Sequence, residues 1–461
     1  MSTPDFATDL LKRANIPLPD EILSAREAGD WALAEAIIAG WLSRDLPDCL
    51  RERLELERYY LAHMRGEYPL NTAALAAALK ARIPDFDEAD VRDLLASGWL
   101  DTRMVDGERR FHEDSAASLL KANAELARRA GQAFSPASDV LDPVIAKIRQ
   151  RGELSMALHL RATLSIRDHA FTPGETYRVH LPVPTPTMQQ RDVHILDIRP
   201  NPKHVARESA PQRTAFFEET LTNNAPFVAE YRYRWHCAYA DVWDGKPFVA
   251  YPDAPPPTEH DLKECLPHIA FTPYLKQMAL EVRGDEVIPI RIVRRIYDFI
   301  TSRVRYAYVR AYRLIENGAE YAATNLRGDC GLQALLFITL CRILGIPARW
   351  ESGLMADPTY IGSHDWAQFY TEAWGWLPAD CSFGGAAYRK DNPERRRFYL
   401  GNLDPWRMAS NTAYFAPFQP PCLHPRNDPY DSQRGEVETQ ERALSAGEVA
   451  TRFEMVSYTE A

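Results

Sequence analysis

Through residues 1 to about 130, apolar side chains recur three and four positions apart, as in DWALAEAIIAGWLSRDL and CLRERLELERYYLAHM, which predicts amphipathic helices. NTAALAAALKARI and DEADVRDLLASGWL predict two more. They are followed by DTRMV and ERRFH around Asp106-Gly107, a dipeptide suited to a two-residue hairpin turn. Helix, helix, hairpin is a winged-helix-like order. Past residue 150 the period shortens to two. MALHLRATLSI, TYRVHLPVP, DVHILDIRP, RTAFFEETL and FVAEYRYRWHCAYADVW predict short strands and a β-sandwich-like unit. YPDAPPPTEH cannot continue a strand, because proline lacks the amide donor, so a linker is expected there. EVIPIRIVRRIYDFITSRVRY then returns to helical spacing, and VATRFEMVSYTE closes the chain as a candidate strand. The expected fold is multidomain α+β, with a helical domain over 1–150, the β-sandwich-like unit over 151–255 and an α+β domain over 256–461.

Length supports several units, since 461 residues exceed what one hydrophobic core usually serves. The formal net charge of -10 argues against a phosphate-binding surface, so the winged-helix-like order is read as scaffold or substrate gate rather than DNA binder. The opening MSTPDFATDLLKR lacks the basic-then-apolar pattern of a secretion signal, and ALLFITLCRILGI is too short to span a bilayer. A soluble, cytoplasmic protein without a membrane partner is the expectation. Seven cysteines without a CxxC pair fit a reducing compartment, and no ligand spacing for zinc or calcium is visible, so no metal or cofactor is predicted.

Candidate chemistry lies in Arg327-Gly328-Asp329-Cys330-Gly331, which precedes the apolar run LQALLFITLCRILG. Cys330 thus stands at a helix N-terminus, where free amides and the macrodipole favour a thiolate and should lower the thiol pKa. Downstream, HDWAQFYTEAW and GWLPAD read as a hairpin turning at Trp374-Gly375, which sets His364 at the start of one strand beside Asp380 at the end of the next. His364 would serve as general base and Asp380 would orient its ring.

This order, with LGIPAR after the cysteine helix, a Gly-bearing strand, His-x-Trp, and Trp then Asp, resembles the transglutaminase-like core over about residues 290 to 385. Transglutaminases, bacterial cysteine-protease-like proteins and peptide N-glycanases share that core. The resemblance implies a papain-like α+β domain with Cys330, His364 and Asp380 as catalytic triad, acting on amide, peptide or isopeptide bonds through a thioester. The substrate would be a peptide, protein or small amide, with hydrolysis or deamidation favoured over cross-linking. One departure is the tryptophan that eukaryotic members carry upstream of the cysteine, since no Trp occurs here between Trp243 and Trp350. Tyr306, Tyr308 and Asn325 are the alternative oxyanion donors, and Trp366 is read as a wall of the cleft or as core. Arg396, Arg407 and Asn402 are read either as an ordered loop packing back on the core or as a lining that meets a substrate carboxylate. The competing class is a non-catalytic binding or scaffold protein that retains the fold.

Overall fold

The computed structural model describes residues 10–131 and 138–461, so the reading of the first nine residues lies outside it. Helices α1 (Asp20–Ala28), α2 (Trp31–Leu42), α3 (Asp48–Glu67), α4 (Thr72–Lys80) and α5 (Glu88–Ala96) come first. The hairpin β1 (Thr102–Val105) and β2 (Glu108–Phe111) follows, then α6 (Ser115–Ala122) and α7 (Ala124–Arg129). Asp30, Asn71 and Asp87 start α2, α4 and α5 by accepting from first-turn amides. Asp106 and Gly107 adopt φ of 51° and 78°, the left-handed pair a two-residue hairpin needs. Leu75, Leu79, Phe86, Val91 and Phe111 form a small separate core for α4 to α7.

Helix α8 (Ser138–Arg151) leads into β3 (Glu153–Ile166), β4 (Thr176–Pro182), β5 (Gln190–Arg199), β6 (His204–Val205), β7 (Thr214–Thr220) and β8 (Phe227–Ala238). In β3 every second residue from Leu154 to Ile166 is buried, the period-two pattern of a strand with one face on a core. The chain between β8 and residue 258 forms no helix or strand, as its prolines dictate.

Next come α9 (Pro273–Arg283), α10 (Pro289–Arg303), β9 (Arg305–Tyr306), α11 (Gly318–Asn325), β10 (Arg327–Gly328) and α12 (Cys330–Ile343). They precede β11 (Ala348–Ala356), β12 (Ile361–Thr371), β13 (Gly375–Ala379), α13 (Cys381–Arg389), α14 (Pro393–Phe398) and β14 (Arg407–Asn411). The four strands make an antiparallel sheet in the order β13-β12-β11-β14. Gly375 turns the β12–β13 hairpin at φ 67°, where a Cβ would also lie 2.9 Å from Val249. Finally β15 (Glu436–Glu438) pairs with β4, and β16 (Val449–Glu460) pairs along the length of β3. The β unit therefore consists of two four-stranded sheets, β15-β4-β7-β6 and β16-β3-β8-β5, each with one strand from the far end of the chain.

Alternation along β12 assigns the two faces of the core sheet. Phe369 meets Phe337 of α12 at 6.0 Å between ring centroids, so Ala367 and Asp365 also face that helix. Trp366, on the other face, meets Trp235 of β8 edge-on at 6.2 Å. One continuous apolar core joins the β unit, the sheet and α12.

The N-terminal helices dock on the segment just ahead of Cys330. Asp101, only 6% exposed, accepts from Tyr68 Oη at 2.8 Å, Tyr321 Oη at 3.2 Å and Arg327 Nη2 at 3.0 Å. Arg327 also donates to Leu100 O, and the Tyr308 amide to Ser118 Oγ at 2.9 Å. Asp101→Asn keeps the shape and removes the charge, and should cost about 1–3 kcal/mol of unfolding free energy in urea titration. Arg310 and Arg327 hold the Asp101 carboxyl below its ordinary range against its burial. That contribution is present above about pH 4 and fades on acidification, so the wild-type advantage over the variant should shrink as pH falls. An advantage that does not change with pH would remove the ion pairs as its source.

Candidate active site

Helix α12 begins at Cys330 because Asp329 caps it, accepting from the Leu332 amide at 3.1 Å. From Gly331 to Arg342 every residue is buried, so the helix is a fixed strut through the core that presents Cys330 at its first position. Gly345, at φ 75°, and Pro347 end it. Any side chain at Gly331 would place its Cβ 2.2 Å from the Tyr312 hydroxyl and 2.8 Å from Asp365 Oδ2. Glycine is what lets the helix start press against those groups.

The structure brings His364 and Asp380 together. His364 Nε2 donates to Asp380 Oδ2 at 2.7 Å, with the carboxylate fully buried and the imidazole 5% exposed. Asp380 Oδ1 accepts from the Phe383 amide at 2.8 Å and so starts α13. Arg407 Nη1 donates to Asp380 Oδ2 at 2.8 Å, and Arg407 Nε and Nη2 donate to Asp404 Oδ2 at 3.1 and 2.6 Å. Burial opposes the charge on Asp380, but His364 and Arg407 overcome it and hold the carboxyl down at about 2. Burial lowers the His364 pKa against the pull of Asp380, so the resting imidazole is neutral near pH 7.

The sulfur bond of Cys330 goes to the neighbour of His364. Cys330 Sγ donates to Asp365 Oδ2 at 3.2 Å. His364 spends Nε2 on Asp380, which leaves Nδ1 as the ring nitrogen available to a thiol. Burial pushes the Cys330 thiol well above its ordinary range, and the Asp365 and Asp329 carboxyls push it further. The expected lowering at a helix N-terminus is thus overturned in the resting arrangement, because burial and two acids outweigh the helix end.

The other sequence candidates divide. Tyr306 lies close enough to Cys330 for the cysteine to help burial push its hydroxyl pKa up, and that hydroxyl accepts from Lys121 Nζ of α6 at 3.3 Å. Tyr308 Oη accepts from the same ammonium at 3.2 Å. Asn325 spends its amide on Tyr321 O at 2.9 Å within its own helix. Trp366 is fully buried and donates to Glu351 Oε2 at 2.6 Å, which makes it part of the packing beneath the site rather than an exposed wall. Arg396 bonds Asp298 Oδ1 at 2.7 Å, and Asn402 pairs with the Ala240 backbone. Arg407 is completely buried, so the substrate-carboxylate role considered for these residues gives way to internal ion pairing. Sequence reasoning missed Asp365 and Gln433, whose Nε2 donates to Asp365 Oδ1 and to His364 O. The available signal for Asp365 was its place in His-Asp-Trp, one residue past the base and hence on the opposite face of the strand.

Among solved structures, a candidate cysteine protease from Cytophaga hutchinsonii matches with 17% identity over 66% of this chain and 91% of that one, at a TM-score of 0.42. The periplasmic domain of TgpA from Pseudomonas aeruginosa matches with 14% identity over 55% of this chain and 95% of that domain, at 0.29. No curated protein matches significantly. A family model of the transglutaminase-like superfamily core matches residues 276–381, the span that runs from α9 to Cys381 and holds Cys330, His364 and Asp380. That span is a transglutaminase-like domain of mixed α/β architecture.

Proposed function

We propose that the chain is a cysteine hydrolase or deamidase that cleaves amide, peptide or isopeptide bonds through a thioester on Cys330. The observation that carries this reading is the buried chain Arg407–Asp380–His364, which ends beside the strand residue bonded to Cys330. An ionised, doubly held Asp380 fixes the ring so that Nδ1 is the nitrogen left to take a proton. In the proposed sequence the Cys330 sulfur attacks the carbonyl carbon as its proton passes to His364, and Asp380 stabilises the imidazolium. The tetrahedral oxyanion is met at the start of α12, where the first amides have no helical acceptor. His364 then returns the proton to the departing ammonia or amine, and a water activated by the same imidazole resolves the thioester.

Water is the acceptor in this reading, with the N-terminal helices taken to restrict access to the site. Ser118 bonds the Tyr308 amide, and Lys121 bonds the hydroxyls of Tyr306 and Tyr308. The helix–helix–hairpin part is read as a winged-helix-like gate, and the paired sheets as a sandwich-like support.

The test is to incubate the wild-type protein with a library of carboxamides, peptides and isopeptides, with and without an added primary amine. Acid quenching and peptide mass analysis should find an acyl adduct on Cys330, with release of ammonia or amine. A library-wide lack of turnover and of Cys330 adducts would sink the proposal. Incorporation of the added amine in place of water would convert it to acyl transfer.

A further inference from the structure

Asp365 reaches the nucleophile from a strand whose neighbouring residue is the base. Alternation on β12 points Asp365 at the α12 face, and the bare Cα of Gly331 leaves room for its carboxyl against the helix start. Its Oδ2 accepts from Cys330 Sγ at 3.2 Å, and its own backbone amide also faces that sulfur. Its Oδ1 accepts from Gln433, which in turn holds His364 O at 3.1 Å. Both carboxyl oxygens are therefore committed, one to the thiol and one to a side chain of the loop between β14 and β15. Asp365 is itself 8% exposed.

We propose that Asp365 is a positioning residue that holds Cys330 in its thiol form in the resting protein, latched there by Gln433, and that a reactive thiolate forms only when this contact opens. The proposal rests on the reading of Cys330 as nucleophile. It identifies what keeps that nucleophile idle.

The surroundings reinforce the hold. Asp329 caps α12 beside the sulfur and accepts from Tyr312 Oη at 2.5 Å. Asp428 and Asp431 approach from the β14–β15 loop, where Asp431 accepts from Ser352 Oγ at 2.5 Å. Tyr306 of β9 lies on the same side, and His364 is the adjacent residue on β12. Among the described residues, neither Asp365 nor Asp431 is ion-paired to a lysine or arginine, and Lys121 acts on Asp329. Burial first and Asp329 second push the Asp365 carboxyl up to about 7. Below that pH it is a neutral acid. Above it, the carboxylate accepts the thiol proton and its charge opposes a second negative charge on sulfur. The ionised state is the one that holds the sulfur protonated, and it prevails over the pH range in which an ordinary thiol titrates.

The experiment is alkylation of Cys330 by iodoacetamide, followed by peptide mass across about pH 6 to 10 so as to bracket an ordinary thiol. Alkylation forms the S–C bond, expels iodide and sends the thiol proton to solvent, so its rate reports thiolate. Wild type should show no midpoint below about pH 9. Asp365→Asn, which keeps size and loses charge, should lower the midpoint by at least about one unit, or roughly tenfold faster labelling at neutral pH. Gln433→Leu should move it the same way by less. A purely structural role would change the melting temperature without moving the midpoint. A wild-type midpoint at or below about pH 7 overturns the proposal even if the variants fail to fold, and so does an unchanged profile in a folded Asp365→Asn protein. Labelling needs no substrate. A chain that turns over no amide yet labels as expected loses the proposed function and keeps this contact, and one that turns over amides with an unmoved midpoint does the reverse.

Discussion

His364→Ala should lower kcat by about 10³-fold on any amide the library identifies, with KM changed far less. The size follows from the resting charges. Cys330 is a thiol pushed above its ordinary range and His364 an imidazole pushed below its own, so no ion pair is stored in the free protein. In the proposed sequence the proton leaves sulfur as the bond to carbon forms and passes to His364. Asp380→Asn should cost roughly 10²- to 10⁴-fold while leaving side-chain volume intact, because the ring loses the charge that fixes its tautomer and stabilises the imidazolium. The two variants differ in pH dependence. Asp380 raises the imidazole pKa against burial, so its loss should move the acid limb of kcat to lower pH, whereas His364→Ala should abolish that limb. Wild-type kcat in His364→Ala, with Cys330→Ala inactive, would take the base role from His364.

Much of this site could be read from local pattern. The cysteine at a capped helix start and the glycine-turned hairpin are consequences of periodicity and turn chemistry within some fifty residues, and they formed as expected, whereas His364 lies three residues inside β12 rather than at its start, and Asp380 caps α13 just past the end of β13. What escaped was whatever depends on a third dimension. Asp365 looks like a surface acid in the string His-Asp-Trp. It becomes a sulfur ligand only because α12 packs on the odd face of β12, which nothing local dictates. From the sequence Arg407 reads either as part of a loop packing back on the core or as a cleft residue meeting a substrate carboxylate. Its two carboxylate partners, Asp380 and Asp404, become visible only once β14 lies beside β11. The return of β15 and β16 to the β unit is equally non-local, pairing residues nearly 300 apart in β16 and β3. Such contacts carry the loop-closure cost that makes them unreadable from neighbouring residues.

Arg407→Leu should destabilise the protein by about 3–5 kcal/mol at neutral pH, the largest stability effect expected of any single change here. Arg407 is fully buried, and so are the two carboxylates it bridges. Its guanidinium also packs on the rings of Phe383, at 4.4 Å, and Trp366, at 5.5 Å. Removing it leaves Asp404 with Tyr399 Oη at 3.1 Å and the Trp406 amide at 2.9 Å, and Asp380 with His364 and one backbone amide, with no cation for either among the described residues. The sign of the pH effect follows. In wild type the Asp380 pKa is depressed to about 2, so its contribution is complete above the unfolded value near 4 and is lost as pH falls toward 2. Without the guanidinium the same carboxyl titrates higher and protonation relieves it. The stability gap between wild type and Arg407→Leu should therefore be widest at pH 7 and narrow as pH falls to about 4 in urea titrations followed by circular dichroism. Arg407→Lys should recover only part of the gap, since an ammonium supplies the charge but not the fork that grips two carboxylates at once. A gap that is absent at pH 7, or that widens on acidification, would mean that the buried arginine is not what keeps Asp380 ionised, and the electrostatic support assigned to His364 would fall with it.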